Sequence, residues 1–404
     1  MIFLKKNTMD IEELKFLANE HLARHDLHKA IELLIRSRDI QPSDPTTLHQ
    51  LGAAQLEAKD FISASHNLRK ALQIAPLMFI ARLRLGIALE NLDLKNDALF
   101  AYFRALNDAQ AQGRWRSDST TAPALRQLVK HAMDYVDNGR KQIFEEILDP
   151  LRQRYGQSEL RRVELCLAIY LNEQPANLPD PRQRPKFLYF PEIPSQTFYP
   201  RERFPWQSAL ESAGGMIRDE LCKIMAKPDN FESFLQSRSR DEEDEYLQSS
   251  SNQAAAWDAY FFHRHGKQYD ANYRLCPNTA ELLDSIPLVH IREHAPETLF
   301  SVLRSGTHIM PHNGVTNTRL VTHLPLIIPD DCALRVGGET HIWKQDRCVT
   351  FDDTFEHDAW NRSNETRVVL LLDSWNPDLS EAERAAVSDL VAAIGDLNRT
   401  VATS

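Results

Sequence analysis

The residues with the clearest chemical potential lie in the last third of the chain: Ser301, His312, Arg319 and His323 in one run, His357 and Arg367 in a second. Two imidazoles joined by strand-like sequence, with an arginine ten residues beyond the second, point to a non-haem iron site with a pocket for an acidic co-substrate. Iron(II) centres of the facial-triad kind use two imidazoles and usually a carboxylate, leaving the opposite face open. The carboxylate normally stands two residues after the first histidine. Here His312-Asn313-Gly314 places a glycine there, which has no side chain to ligate. Either water or another small ligand completes the set, or there is no metal. Arg367 begins an otherwise apolar run, Val368 to Leu372. A buried arginine needs a partner, and its planar fork suits a carboxylate.

The ordered series His312-Asn-Gly314, Thr316-Asn-Thr-Arg319-Leu-Val-Thr-His323-Leu, Trp343, Phe351-Asp352-Asp353 with His357, Asn361, Arg367 and Asp373-Ser-Trp375-Asn-Pro377 resembles the aspartyl/asparaginyl β-hydroxylase family. These are Fe(II)- and 2-oxoglutarate-dependent dioxygenases in which His-x-Gly replaces His-x-Asp. The resemblance spans roughly residues 186 to 380. It implies that His312 and His357 ligate the iron, that Ser301 and Arg367 hold the distal carboxylate of 2-oxoglutarate, and that His323 supports its other end. Arg319 also matches, and could grip the co-substrate, the main substrate or Asp352. Val321 departs from the pattern, because animal members place an arginine there that helps bind the co-substrate. Asp346 departs too, standing where glycine commonly follows the Trp343 position, although Asp tolerates turn geometry. Asp352 and Asp353 are expected in a turn or in hydrogen bonds to the ligating histidines. Gly314→Asp is expected to supply a third ligand. His290, His294 and His308 read as structural or surface residues.

Short strands must position these groups. Candidates are Trp257 to His263, Leu299 to Leu303, Arg319 to Ile328, Ala333 to Val336, Thr340 to Trp343, Cys348 to Asp352 and Arg367 to Asp373. Turn signals such as Pro329-Asp-Asp331 and Gly337-Gly338 separate them, a spacing that suggests an antiparallel sandwich or barrel. The resemblance implies a double-stranded β-helix, a jelly-roll or cupin-like oxygenase domain with flanking helices. One helix is expected from Gln207 to about Ala226. Another closes the chain from Ser380 to about Leu397, with Ser380 as N-cap and Glu383 three residues on.

Upstream, a period of 34 aligns Leu17/Leu51/Leu85, Ala18/Gly52/Gly86, Ala30/Ala64/Ala98 and Leu34/Leu68/Tyr102, with Pro42 and Pro76 ending the first two units. This looks like three tetratricopeptide repeats, about 11–44, 45–78 and 79–112. Small residues let paired helices approach, prolines stop the second helix, and neighbours stack into a solenoid. Helical spacing at Leu125, Leu128, Val129, Ala132 and Val136 continues that region. The expected fold is therefore multi-domain α + β: an all-α repeat domain over 11–176, a Pro-rich linker over 177–186, and the oxygenase domain over 187–404.

A net charge of −10 and a pI near 5.9 argue against a duplex nucleic-acid binder, whose footprint is basic. The start, Met1 to Met9, lacks the order of a signal peptide, and no apolar run approaches a membrane span. Five scattered cysteines without CxxC spacing fit free thiols in a reducing cytosol, so a cytoplasmic protein is expected. The acidic run Asp241 to Glu245 reads as a solvated loop. The leading reading is a 2-oxoglutarate-dependent hydroxylase of an Asp or Asn β-carbon, with a protein or peptide substrate docked by the repeats. The alternatives are a hydroxylase of a lipid acyl chain or small molecule, and a repeat scaffold carrying an inactive oxygenase domain.

Overall fold

The structure is a computed structural model of the chain and describes residues 10–235, 245–249 and 254–403. Most of the acidic run at 241–245 lies outside the described residues. The chain divides into two compact units, one running to Glu145 and including the residues from Asp396 onward, the other Glu146–Gly395. Among the described residues no helix is long and apolar enough to cross a membrane.

The first unit contains three helical hairpins: α1 (Ile11–Ala23) with α2 (Leu27–Ile40), α3 (Pro45–Glu57) with α4 (Phe61–Ile74), and α5 (Phe79–Asn91) with α6 (Lys95–Ala111). Aspartates start the first four helices. Asp10, Asp26, Asp44 and Asp60 each accept a hydrogen bond from a first-turn backbone N–H, satisfying donors the helix cannot. The repeated glycine has a packing cause. A Cβ on Gly52 would lie 2.6 Å from Leu68 Cγ, and one on Gly86 would run into the Tyr102 ring. Helix α7 (Arg126–Tyr155) adds Val129, Ala132 and Val136 to the core of the third hairpin.

The boundary differs from the expected linker at 177–186, because the units part within α7 and residues 146–186 belong to the second unit. Arg162 of α8 (Arg161–Tyr170) holds Glu383 through two hydrogen bonds, of 2.7 and 2.6 Å. The Pro-rich stretch is itself tied down: the backbone N–H groups of Arg184 and Lys186 donate to Thr354 O and Gly314 O, at 2.7 and 3.0 Å. Prolines remove donors without preventing the remaining N–H groups from finding carbonyls. Composition alone could not separate this strap from a linker.

The second unit has thirteen described strands: β1 (Phe198–Tyr199), β2 (Glu232–Ser233), β3 (Leu247–Ser249), β4 (Trp257–Arg264), β5 (Lys267–Gln268), β6 (Thr298–Leu303), β7 (Thr307–His312), β8 (Arg319–Ile327), β9 (Cys332–Val336), β10 (Glu339–His341), β11 (Val349–Phe351), β12 (His357–Asn361) and β13 (Arg367–Trp375). They form two antiparallel sheets. One has the order β1-β11-β8-β13-β6-β4-β2 with β5 beside β4, the other β10-β9-β12-β7-β3. Residues from both, including Leu303, Ile309, Val321, Leu334 and Val369, share one core. Alternate residues of the larger sheet, such as Phe300, Val302, Val368 and Leu370, pack instead with Leu210 of α9 (Gln207–Ser212) and Ile217 and Leu221 of α10 (Gly214–Met225). This period of two sends Ser301, Arg367, Leu371 and Asp373 to the inner face. The expected helix at 207–226 is broken at Ala213 into α9 and α10. Strands β7 and β12 were not among the sequence candidates, since one contains Pro311 and the other is a short mixed run.

Candidate active site

His312 ends β7 and His357 begins β12, and the two residues are direct partners in the antiparallel register. Their ring centroids are 4.1 Å apart, with planes tilted by 52°. Each ring is oriented by its own strand: His312 Nδ1 lies 2.8 Å from Met310 O, and His357 Nδ1 lies 3.1 Å from Phe355 O. A carbonyl can only accept, so both Nδ1 atoms carry a proton, which leaves Nε2 as the position through which each ring could bind a metal. Burial, with His357 nearby, pushes His312 down to about 4, which keeps it neutral and fit to bind a metal at neutral pH. Of the two roles expected of Asp352 and Asp353, a turn or hydrogen bonds to the ligating rings, Asp352 takes the turn. Asp352 accepts from Thr354 N, Thr354 Oγ1 and Gln183 Nε2, fixing the turn before His357.

A cavity of about 240 Å³ opens beside the pair, and all six sequence-selected residues, Ser301, His312, Arg319, His323, His357 and Arg367, line it. At one end Arg367 is 1% exposed and its charge has no carboxylate partner among the described residues. Its Nη1 reaches Ser301 O at 3.3 Å and Ser301 Oγ at 3.4 Å, its Nε is unpartnered, and its guanidinium lies 4.9 Å from the Trp343 ring centroid. Burial pulls its pKa down to about 10. Ser301 Oγ also accepts from Trp257 Nε1 at 2.9 Å, so its own O–H remains to donate. His323 Nδ1 is buried without a partner, and burial beside Arg367 holds the ring neutral. These orphaned groups fit an anionic, bidentate ligand: a buried cation and buried polar atoms persist where a ligand satisfies them.

The other end is internally compensated. Arg319 donates to Asp373 at 2.6 Å and to Asp353 at 3.3 Å, not to Asp352. Burial lifts Asp373 to about 6 against the pull of Arg319, while the two carboxylates outweigh the burial of Arg319 and hold it protonated. Much of the Arg319 fork is thus committed before any co-substrate arrives.

Gly314 has a role beyond lacking a ligand. A Cβ there would run into the Asp353 carboxyl group, and Gly314 N donates to Asp353 O at 2.6 Å. A Gly314→Asp side chain would therefore meet the Asp353 carboxyl group first and would supply a third ligand only if Asp353 shifts. Among the described residues no three His, Cys, Asp or Glu side chains are grouped to hold a metal, so an ion on the two histidines would draw its further ligands from outside that set. The second departure is structurally compensated. Asp346 adopts a left-handed φ of +57°, and its carboxylate is held by Arg218 at 2.6 and 3.2 Å. Sequence reasoning gave no role to Trp257 or Asp373. Both stand on the inner face of a recognised strand, which was the available signal.

The class defined is a two-sheet antiparallel domain in which a cavity joins a histidine pair to an unpaired guanidinium, following a helical-repeat region. Residues 211–377 match the family model described as aspartyl/asparaginyl beta-hydroxylase, and this part of the chain belongs to that family. Aspartate beta-hydroxylase domain-containing protein 2 of Xenopus tropicalis is 27% identical over 262 residues, covering 63% of this chain and 67% of the relative. Aspartyl/asparaginyl beta-hydroxylase of Mus musculus is 26% identical over 365 residues, covering 89% of this chain but 43% of the relative. Ornithine lipid ester-linked acyl 2-hydroxylase of Rhizobium tropici is 31% identical over 198 residues, covering 48% and 66%. Among solved structures, the TPR domain of Arabidopsis OM64 aligns with 30% of this chain and 93% of its own, at 21% identity and a TM-score of 0.26. The repeat assignment rests on the three hairpins and their period, not on that alignment.

Proposed function

We propose that this protein is an Fe(II)- and 2-oxoglutarate-dependent hydroxylase acting on the β-carbon of an Asp or Asn residue in a protein or peptide, with the repeats docking the substrate or a partner. The observation that carries this reading is one cavity lined both by the paired imidazoles of His312 and His357 and by the buried Arg367, without a carboxylate partner among the described residues, beside Ser301. When bound, iron couples oxidative decarboxylation of 2-oxoglutarate to C–H hydroxylation, one oxygen atom of dioxygen entering succinate and the other the new alcohol. The chain's own groups do the positioning. His312 and His357 offer the two protein ligands, and Arg367 with the Ser301 hydroxyl receives the distal carboxylate. His323 supports the other end of the co-substrate, while Phe351, Leu334 and Ala359 line the site with apolar surface.

A second reading, hydroxylation of a lipid acyl chain, is favoured by the similarity to the Rhizobium tropici acyl 2-hydroxylase. The test of the oxygenase itself is anaerobic addition of iron(II) and 2-oxoglutarate while recording the visible charge-transfer band of a chelated 2-oxoacid. The band is expected in wild type and absent in His357→Ala. A folded wild-type protein without it would move the reading to a repeat scaffold with an inactive domain.

A further inference from the structure

The segment after His312 and the turn before His357 are fastened by a stretch of chain that lies outside the residues matching the family, 211–377. The two meet directly: Asn313 Nδ2 donates to Thr354 O at 2.9 Å, and Gly314 N donates to Asp353 O at 2.6 Å. Residues 183–186 then run across the junction. Arg184 N reaches Thr354 O at 2.7 Å on the His357 side, and Lys186 N reaches Gly314 O at 3.0 Å on the His312 side. Gln183 is paired with Phe355 as an isolated antiparallel bridge. A third segment bonded to both limits how far the two histidine-bearing segments can part.

Gln183 is the buried member of this strap, at 1% exposed. Its Nε2 donates to Asp352 Oδ2 at 2.7 Å, and its Oε1 accepts from Ser195 Oγ at 2.9 Å. Asp352 is itself fully buried and turns its other oxygen to Thr354 N and Thr354 Oγ1, which closes the turn before Phe355. Phe355 O is in turn the acceptor that orients the His357 ring. The line from strap to histidine is therefore continuous: Gln183 to Asp352, Asp352 to the turn, the turn to His357. Without the Gln183 amide, one oxygen of a buried carboxyl group loses its donor, and movement of the turn is the way to relieve that cost.

Resting on the hydroxylase reading for the identity of the ion, we propose that residues 183–186 belong to the metal site, with Gln183 as a positioning residue that presets the His357 ring against His312. Groups that orient ligating histidines without touching the ion contribute strongly to its affinity. Arg367 and Ser301, which receive the co-substrate, lie on other strands and are not bonded to the strap.

The experiment titrates the full chain with iron(II) under nitrogen at saturating 2-oxoglutarate, following the chelate band. A second titration varies 2-oxoglutarate at saturating iron(II). Gln183→Met, which keeps the length of the side chain and removes the amide, is expected to raise the iron(II) concentration for half-saturation about tenfold. The half-saturating 2-oxoglutarate concentration should not change. Ser195→Ala, which frees the Gln183 amide to rotate, should shift the iron(II) titration in the same direction by less. Arg184→Ala removes an exposed side chain whose bond, to Pro181 O, stays within the strap, and should leave both titrations as in wild type. An unchanged iron(II) requirement in folded Gln183→Met would overturn the proposal, and Ser195→Ala decides in the same way if that variant does not fold. An equal rise in Arg184→Ala, or an equal rise in the 2-oxoglutarate requirement of Gln183→Met, would also overturn it, since either shows a general loosening. In each of these cases the wild-type band leaves the oxygenase reading standing. If wild type shows no band, both fall.

Discussion

In the first unit Asn67 is 3% exposed and its amide is used twice, donating to Gln55 Oε1 at 2.8 Å and to Ser63 O at 3.1 Å. In the second unit Arg367 is 1% exposed, yet its Nε and its charge go unanswered. Both are buried polar groups, and the contrast separates two uses of burial. At Asn67 the polar group joins a helix to its neighbour and is satisfied within the chain, although Gln50 Oε1, Arg82 Nε and Asp108 Oδ2 of the same unit lack a partner. Among the residues lining the cavity, His323 Nδ1, Asp353 Oδ1 and Arg367 Nε are each left without a hydrogen-bond partner. Each orphan costs stability, so a cluster of them marks where a ligand supplies the missing partners.

The largest test of that contrast is Arg367→Met. Losing the guanidinium that the described cavity lining leaves without a carboxylate should weaken 2-oxoglutarate binding by about 2–5 kcal/mol, read by titrating the charge-transfer band. Thermal stability should hold or rise, because a buried cation without a counter-ion is replaced by a side chain of similar reach. A fall in stability comparable to the loss of binding would mean that Arg367 serves the fold first.

The converse belongs to the repeats. Gly86→Ala should lower the stability of the first unit by about 1–3 kcal/mol, because the new methyl group must displace the Tyr102 ring. The higher helix propensity of alanine recovers only about 1 kcal/mol. Circular dichroism during urea unfolding measures the loss, and the chelate band should be unchanged.

How much of this was legible follows from the same contrast. The repeats announce themselves because each hairpin needs the same small residue at the same place, so Gly52 and Gly86 recur with the period. The cavity residues were legible as types in order, since His312, His357, Ser301 and Arg367 each sit in a recognisable stretch. What the sequence could not carry was who spends whose charge. Nothing in the run Arg319 to His323 says that Arg319 is taken by Asp353 and Asp373, which come from distant strands. Strand β12 was missed because five residues of mixed polarity carry no clear period. The strap at 177–186 reads as a linker because the backbone N–H groups of Arg184 and Lys186 that help fasten it have no sequence signature, and nothing in the sequence pairs Gln183 with Asp352.

A smaller effect concerns pH in the repeats. Burial alone would raise Asp44, but hydrogen bonds from Lys15, Thr47 and Thr46 override it and leave the carboxyl at about 2. A carboxyl group lowered in the folded state contributes stability above its unfolded value of 3.8, and that contribution is lost as pH falls through about 2. Asp44→Asn should therefore cost about 1–2 kcal/mol at neutral pH, allowing for solvent screening at this partly exposed cap. The difference between variant and wild type should close on acidification. A difference that persisted at the lowest pH would assign the effect to neutral cap geometry instead of charge.

The smallest expected effect tests how the two kinds of burial meet in one residue. Trp257 stacks on Phe234 with ring centroids 3.8 Å apart, as an ordinary core aromatic would, while its Nε1–H donates to Ser301 Oγ. Trp257→Phe keeps the stack and removes the donor. With that bond gone, the Ser301 hydroxyl is free to turn towards other acceptors, and its presentation to a carboxylate is no longer imposed. The loss should be about 0.5–1.5 kcal/mol, the worth of one neutral hydrogen bond, seen as a few-fold rise in the 2-oxoglutarate concentration that half-saturates the chelate band. Combined with Ser301→Ala, Trp257→Phe should have no further effect, because it acts only through that hydroxyl. Additive losses in the double variant would show instead that Trp257 shapes the cavity wall independently of Ser301.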